Sequence, residues 1–143
     1  MAISDVTQLF DVYKRAVHDK DVDGLAGLYD DAVVSFDVWG DWSLIGTGAM
    51  RAMVEEWFGS LGTERVAVDF EDVAVVPGET VSAASATVRF AAISEQGETL
   101  RSMQNRLSWV ARKGDSGWTI VHQHFSCPVD PKTMGVIFNK PEG

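Results

Sequence analysis

The chain is 143 residues long, 45% hydrophobic and 23% charged, with a formal net charge of -9 and one cysteine, Cys127. Such a length reads as a single domain over 1–143, with 129–143 a C-terminal tail, and is enough to bury roughly two-thirds of the unfolded surface without staples. The acidity argues against a nucleic-acid partner, which would need concentrated Lys and Arg. A lone cysteine makes no intrachain bridge, no apolar run approaches a membrane span, and the N-terminus lacks a basic head, so a cytoplasmic protein with no membrane partner is expected.

In chain order, Ser4 or Asp5 caps a first helix whose apolar residues Val6, Leu9, Phe10, Tyr13 and Val17 recur at helical spacing as far as Lys20. Asp21 opens a short second helix carrying Val22, Leu25 and Leu28, which Tyr29-Asp30-Asp31 ends. Ala32 to Val38 reads as a strand, broken at Gly40 and resumed at Trp42 to Ile45 as a short hairpin arm. Thr47 is the N-cap of a third helix with Met50, Met53, Val54, Trp57 and Leu61 on one side and Gly62 closing it. Four long strands follow at Val66 to Val76, Thr80 to Ser94, Thr99 to Arg112 and Trp118 to Pro128, separated by Pro77-Gly78, Glu95-Gln96-Gly97 and Lys113 to Gly117. Helices followed by an antiparallel meander imply an α+β fold with the helices on one face of a curled sheet. The tail from Met134, with Pro131 before it and Pro141 within it, is expected to be loosely attached.

The chemistry concentrates in a few places. Side chains alternate along a strand, so His122, His124 and Ser126 share one face of the last strand and Val121 and Phe125 the other. That titratable face is either an ordinary wet strand face or half of an active site. Asp37 interrupts the apolar residues Val33, Val34, Phe36 and Val38, as a pocket carboxylate or a turn former. Arg106 lies inside a predicted strand, as an ion-pair member or an anion anchor. Tyr13 sits on the apolar side of its helix, where a tyrosine is core or pocket lining. Met50, Met53 and Trp57 at helical spacing read first as core. His-x-His with Asp37 is an incomplete ligand set, so no metal is expected, and without a Gly-rich fingerprint or phosphate loop no cofactor is expected either.

Three stretches in order carry a resemblance over roughly Val6 to Pro128: Tyr13 through Asp23-Gly24-Leu25 to Tyr29-Asp30-Asp31-Ala32; Phe36 to Gly40 with Gly46-Thr47-Gly48; and Trp118-x-x-x-His122-x-His124-x-Ser126-x-Pro128. The chain resembles the ketosteroid isomerase and SnoaL-like group of the NTF2-like superfamily, which implies a cone-shaped curled antiparallel sheet packed on three N-terminal helices around a pocket. In ketosteroid isomerase an aspartate moves a proton while a tyrosine and a neutral aspartic acid hold the developing enolate oxygen. The tyrosine and the base match Tyr13 and Asp37 without a gap; the neutral acid falls on Arg106, a departure that would lower the pKa of a nearby Asp37. His122, His124 and Ser126 replace apolar wall residues. The resemblance therefore implies a small-molecule site with Asp37, Tyr13, His122 and His124 as catalytic groups and Arg106, Trp39, Trp57, Phe90 and Ser126 as ligand contacts. The implied chemistry is proton transfer next to a carbonyl, of isomerase, cyclase or lyase type, in a homodimer joined through the outer sheet face. The ending is also similar to the association domain of calmodulin-dependent kinase II, which implies the alternative of a non-catalytic ligand-binding or dimeric association domain.

Overall fold

The computed structural model describes residues 2–141. Among them, helices α1 (Gln8–Asp19) and α2 (Val22–Ala26) lead into β1 (Tyr29–Phe36) and the short β2 (Leu44–Ile45), and α3 (Thr47–Ser60) follows. Four long strands complete the chain: β3 (Arg65–Val76), β4 (Val81–Ile93), β5 (Thr99–Gly114) and β6 (Gly117–Ser126). They form one sheet in the order β2-β1-β6-β5-β4-β3. Neighbours pair antiparallel except β1 and β6, which run parallel, so the sheet is mixed where an antiparallel one was expected. Turns set the sense of β3 through β6, but β1 and β6 meet across most of the chain and no turn dictates their direction. No helix among the described residues is long and apolar enough to cross a membrane.

Local chemistry explains most element ends. Asp21 caps α2, accepting from Gly24 N at 2.9 Å. The start of α1 differs from expectation: Thr7 is its N-cap, and Asp5 closes the preceding turn by accepting from Thr7 N and Oγ1 at 2.8 and 2.7 Å. Tyr29 opens β1 instead of ending α2, because it pairs across the sheet with Ile120. Gly117, at φ 107, lets the N-terminal segment approach closely: an added Cβ would strike the Ile3 carbonyl, which accepts from Trp118 N at 2.9 Å.

The helices cover the concave face of the sheet. Leu9, Phe10, Tyr13, Ala16 and Val17 of α1 are buried against inward-facing Val66 and Val68 of β3, Leu107 and Trp109 of β5, and Phe125 of β6. Ring centroids lie 4.7 Å apart for Phe10 and Trp109 and 4.9 Å for Phe10 and Phe70. Val66, Val68 and Phe70 are thus packed inward under α1 and leave no apolar stripe of their part of β3 on the outer face.

Two features decide what faces out. At the β5–β6 pairing the register shifts between Val110 and Ala111, because Val110 faces His122 while Ala111 faces Ile120; Val121 is an extra, unpaired residue. Trp118 and Ile120 are buried before this bulge and Gln123 and Phe125 after it, so the inward parity flips. The described part of the tail is also tied down. Gln104 N donates to Phe138 O at 2.7 Å, Ile137 N to Pro128 O at 2.9 Å, and the Phe138 ring stacks on Trp39 with centroids 5.4 Å apart. The expected loose tail is, as far as residue 141, a segment docked beside β5 without joining the sheet; residues 142 and 143 lie outside the described residues.

Candidate functional site

Asp37 follows β1 directly and continues the inward parity of the buried Val33 and Ser35. It is half-buried, and burial raises its pKa above the ordinary aspartate value, opposed by the backbone N–H groups of Val38 and Trp39; Val38 N donates to Oδ1 at 2.6 Å. Its charge reaches Tyr13 and Tyr29. Burial first, then the neighbouring Tyr29 and Asp37, push the Tyr13 phenol well above its usual range, so it is a neutral O–H donor. Tyr13 Oη makes no hydrogen bond among the described residues. Since no buried side-chain polar atom there is both occluded and unpartnered, this hydroxyl reaches accessible space.

An aromatic path leads outward from Tyr13. Its ring lies 6.5 Å from Phe125, Phe125 lies 5.9 Å from Phe90, and Phe90 lies 6.1 Å from Trp57. Phe90 and Trp57 are partly buried against the core with Val38 and Met53. Tyr13, Phe125, Phe90 and Trp57 thus follow one another along the apolar inner side of the sheet, with Asp37 close enough to Tyr13 for its charge to act on the phenol.

The other expected members stand elsewhere. His122, His124 and Ser126 point to the outer face of the sheet, not into the interior. The Val121 bulge is the reason: strict alternation from the buried Ile120 would carry the histidines inward, and one extra residue turns them out. His124 is exposed, His122 Nδ1 lies 2.9 Å from Val34 O, and Phe36 packs edge-on to both rings at 5.0 and 5.3 Å. Arg106 also faces out, between the inward Asn105 and Leu107, and its Nε donates to Ser126 Oγ at 3.1 Å. No ion pair joins it to Asp37, so the expected lowering of the Asp37 pKa by Arg106 is replaced by the rise that burial imposes. Trp39 is 56% exposed and stacks on the C-terminal segment. The expected convergence of all these residues on one cavity is corrected to two faces of one sheet.

The inward positions hold polar residues that the sequence reading passed over. Gln123 is 1% exposed, and its Oε1 accepts from Tyr29 Oη at 2.8 Å and Trp109 Nε1 at 3.0 Å while its Nε2 donates to Ser35 Oγ at 3.2 Å. This network fixes the floor beside Tyr13 and Asp37. Asn105 is 4% exposed; its Oδ1 accepts from Cys127 Sγ at 3.1 Å and its Nδ2 has no partner among the described residues. Asn105 is one residue from the position read as Arg106. A single-residue slip reverses every side chain of a strand, and only the polar Asn and Gln amid Leu107, Trp109 and Phe125 signal the true parity.

Three helices under a curled sheet, with a polar group or two amid aromatic walls, define the NTF2-like class with its cystatin-like fold. The chain belongs to the SnoaL-like domain family, whose model matches residues 6–130. No curated protein matches it. Its fold is similar to that of an NTF2-like protein of unknown function from Pseudomonas putida KT2440, with TM-score 0.84 and 23% identity over 96% of this chain and 94% of that one. It is also similar to a candidate calcium/calmodulin dependent protein kinase II association domain from Xanthomonas campestris (TM-score 0.71, 19% identity, 85% and 84% covered). An NTF2-like protein with a cystatin-like fold from Novosphingobium aromaticivorans is a further likeness (TM-score 0.70, 16% identity, 83% and 77% covered).

Proposed function

We propose that the interior region around Asp37 binds a small carbonyl compound and that Asp37 transfers a proton on it. In its ionised form Asp37 takes a proton from the carbon beside the carbonyl. The C–H electron pair moves into the adjacent C–C bond and the carbonyl oxygen gains charge, toward which Tyr13 Oη donates. Return of the proton at a second carbon completes an isomerisation. The observation that carries this reading is a half-buried carboxylate with a raised pKa whose charge acts on a buried, neutral phenol that has no hydrogen-bond partner among the described residues and lies against an aromatic lining. His122, His124 and Arg106 take no part in this step.

The test is turnover of a panel of β,γ-unsaturated ketones by the wild type and by Asp37→Asn, with the double variant His122→Ala/His124→Ala as control. Loss of the base should lower kcat by roughly 10²–10⁴-fold while binding is largely kept, and the histidine variant should retain the rate. A substrate turned over equally well by Asp37→Asn would overturn the assignment.

A second reading concerns assembly. The outer face carries half-buried Phe36, His122, Val34 and Val110 close together, and solved relatives in fold include candidate association domains. We infer that this face joins a second copy of the chain in a homodimer, in which the histidines are interface residues and not catalytic ones.

A further inference from the structure

Arg106 has a use outside the interior site. A cavity of about 210 Å³ lies at the seam where the C-terminal segment runs beside the end of β6. Arg106, Ser126 and Gln104 line it together with Lys140, while Pro128 and Ile137 give it apolar wall; Asn105 and Cys127 form the side toward the protein interior. The segment that roofs it is held in place, since Lys140 N donates to Gln104 Oε1 at 2.7 Å in addition to the Phe138 and Ile137 backbone bonds.

The charges there are uneven. Lys140 Nζ is paired with Asp72 Oδ2 at 2.9 Å, whereas Arg106 has no carboxylate partner among the described residues. Ser126 Oγ takes its Nε at 3.1 Å and so fixes the guanidinium plane, leaving the two terminal nitrogens as a fork for a planar anion. The Cys127 thiol supplies no negative charge: burial pushes its pKa up, against a smaller opposing pull from Arg106, and Sγ donates to Gln104 O and Asn105 Oδ1 at 3.4 and 3.1 Å. One uncompensated positive charge, held flat beside apolar wall in a space of this size, matches a small monoanion with an apolar body.

We propose that this seam cavity is a binding site for a small aliphatic carboxylate, held by the terminal nitrogens of Arg106 with its hydrocarbon part against Ile137 and Pro128. The site is separate from the proton-transfer site and does not depend on it.

The probe is 3-methylbutanoate, with its neutral amide 3-methylbutanamide as control, titrated into the full-length chain and followed by backbone amide chemical shifts. Saturable shifts confined to Gln104, Ser126, Cys127 and the segment around Ile137 to Lys140 are expected for the acid, with binding weaker by roughly tenfold or more for the amide. Arg106→Gln should weaken the acid by a similar factor and Arg106→Lys by less. Asp37→Asn should leave both titrations unchanged. Arg106 is exposed, and an unchanged circular dichroism melt for its variants checks that the fold persists. Equal binding of acid and amide, retained affinity in Arg106→Gln, shifts centred on Tyr13 and Phe90, or no saturable shift in the wild type would each overturn the proposal. Failure of the Asp37 turnover experiment leaves this titration untouched, so the two readings fail separately.

Discussion

Gln123→Leu keeps nearly the same side-chain volume and removes the acceptor on which two buried donors converge. Tyr29 Oη and Trp109 Nε1 reach Oε1 at 2.8 and 3.0 Å, and both residues are buried, at 5% and 1% exposed. Neither donor has another partner among the described residues, so the leucine strands both, at about 1–3 kcal/mol each. Ser35 only loses a donor to its hydroxyl, which is a smaller loss. The added apolar burial of leucine offsets part of this. The net expectation is a loss of about 3 kcal/mol, against a total stability of roughly 5–15 kcal/mol for a domain of ordinary stability. Urea unfolding followed by circular dichroism, extrapolated linearly to water, measures it. Adding Tyr29→Phe removes one stranded donor, so the double variant should be more stable than the sum of the singles by about 1 kcal/mol or more. A loss under about 1 kcal/mol for Gln123→Leu, or strictly additive singles, would show that the network is not what holds the floor of the site.

Two further outcomes follow from the same structure. Burial raises the folded-state pKa of Asp37, so the folded chain binds that proton more tightly than the unfolded one; the carboxylate is a destabilising charge above the raised pKa, and the penalty disappears as pH falls below the ordinary aspartate range. Asp37→Asn, which keeps an acceptor for Val38 N, should therefore melt at a higher temperature than wild type at neutral pH, with the gain fading as pH falls toward about 4; a gain that does not change with pH would contradict the burial account. For the outer face, sedimentation equilibrium should find a dimer in the wild type and a monomer in Phe36→Asp, since a carboxylate at that position would be desolvated by a closing sheet face. A wild-type monomer at high protein concentration, or a variant that still dimerises, removes the histidine face as an interface.

What the sequence determined by itself is what rests on local chemistry. The helical spacing from Leu9 to Val17, the Asp21 cap, and the glycine-rich turns around Gly97 and Gly117 placed all three helices and the four long strands within a few residues, because caps, periodicity and turns act between neighbours in the chain. The gapless match of Tyr13 and Asp37 was legible because it spans only α1, α2 and β1; the β1–β6 pairing shifts register between Tyr29 and Val34, yet Tyr29, Val33 and Ser35 are all buried, so Asp37 keeps the inward parity. Only the tertiary structure decided which face of β5 and β6 looks inward. The unpaired Val121 is chosen by how β6 fits between β5 and β1, which no local signal records, and it sent His122, His124 and Ser126 outside while bringing Gln123 in. On β5 a slip of one residue separated Arg106 from Asn105, and the burial of one with exposure of the other is fixed by pairing with Thr87 and Val88 of β4, far away in sequence. The sense of the β1–β6 pair and the docking of the C-terminal segment beside β5 were likewise set by long-range pairing, where loop closure and packing, not propensity, choose the partner.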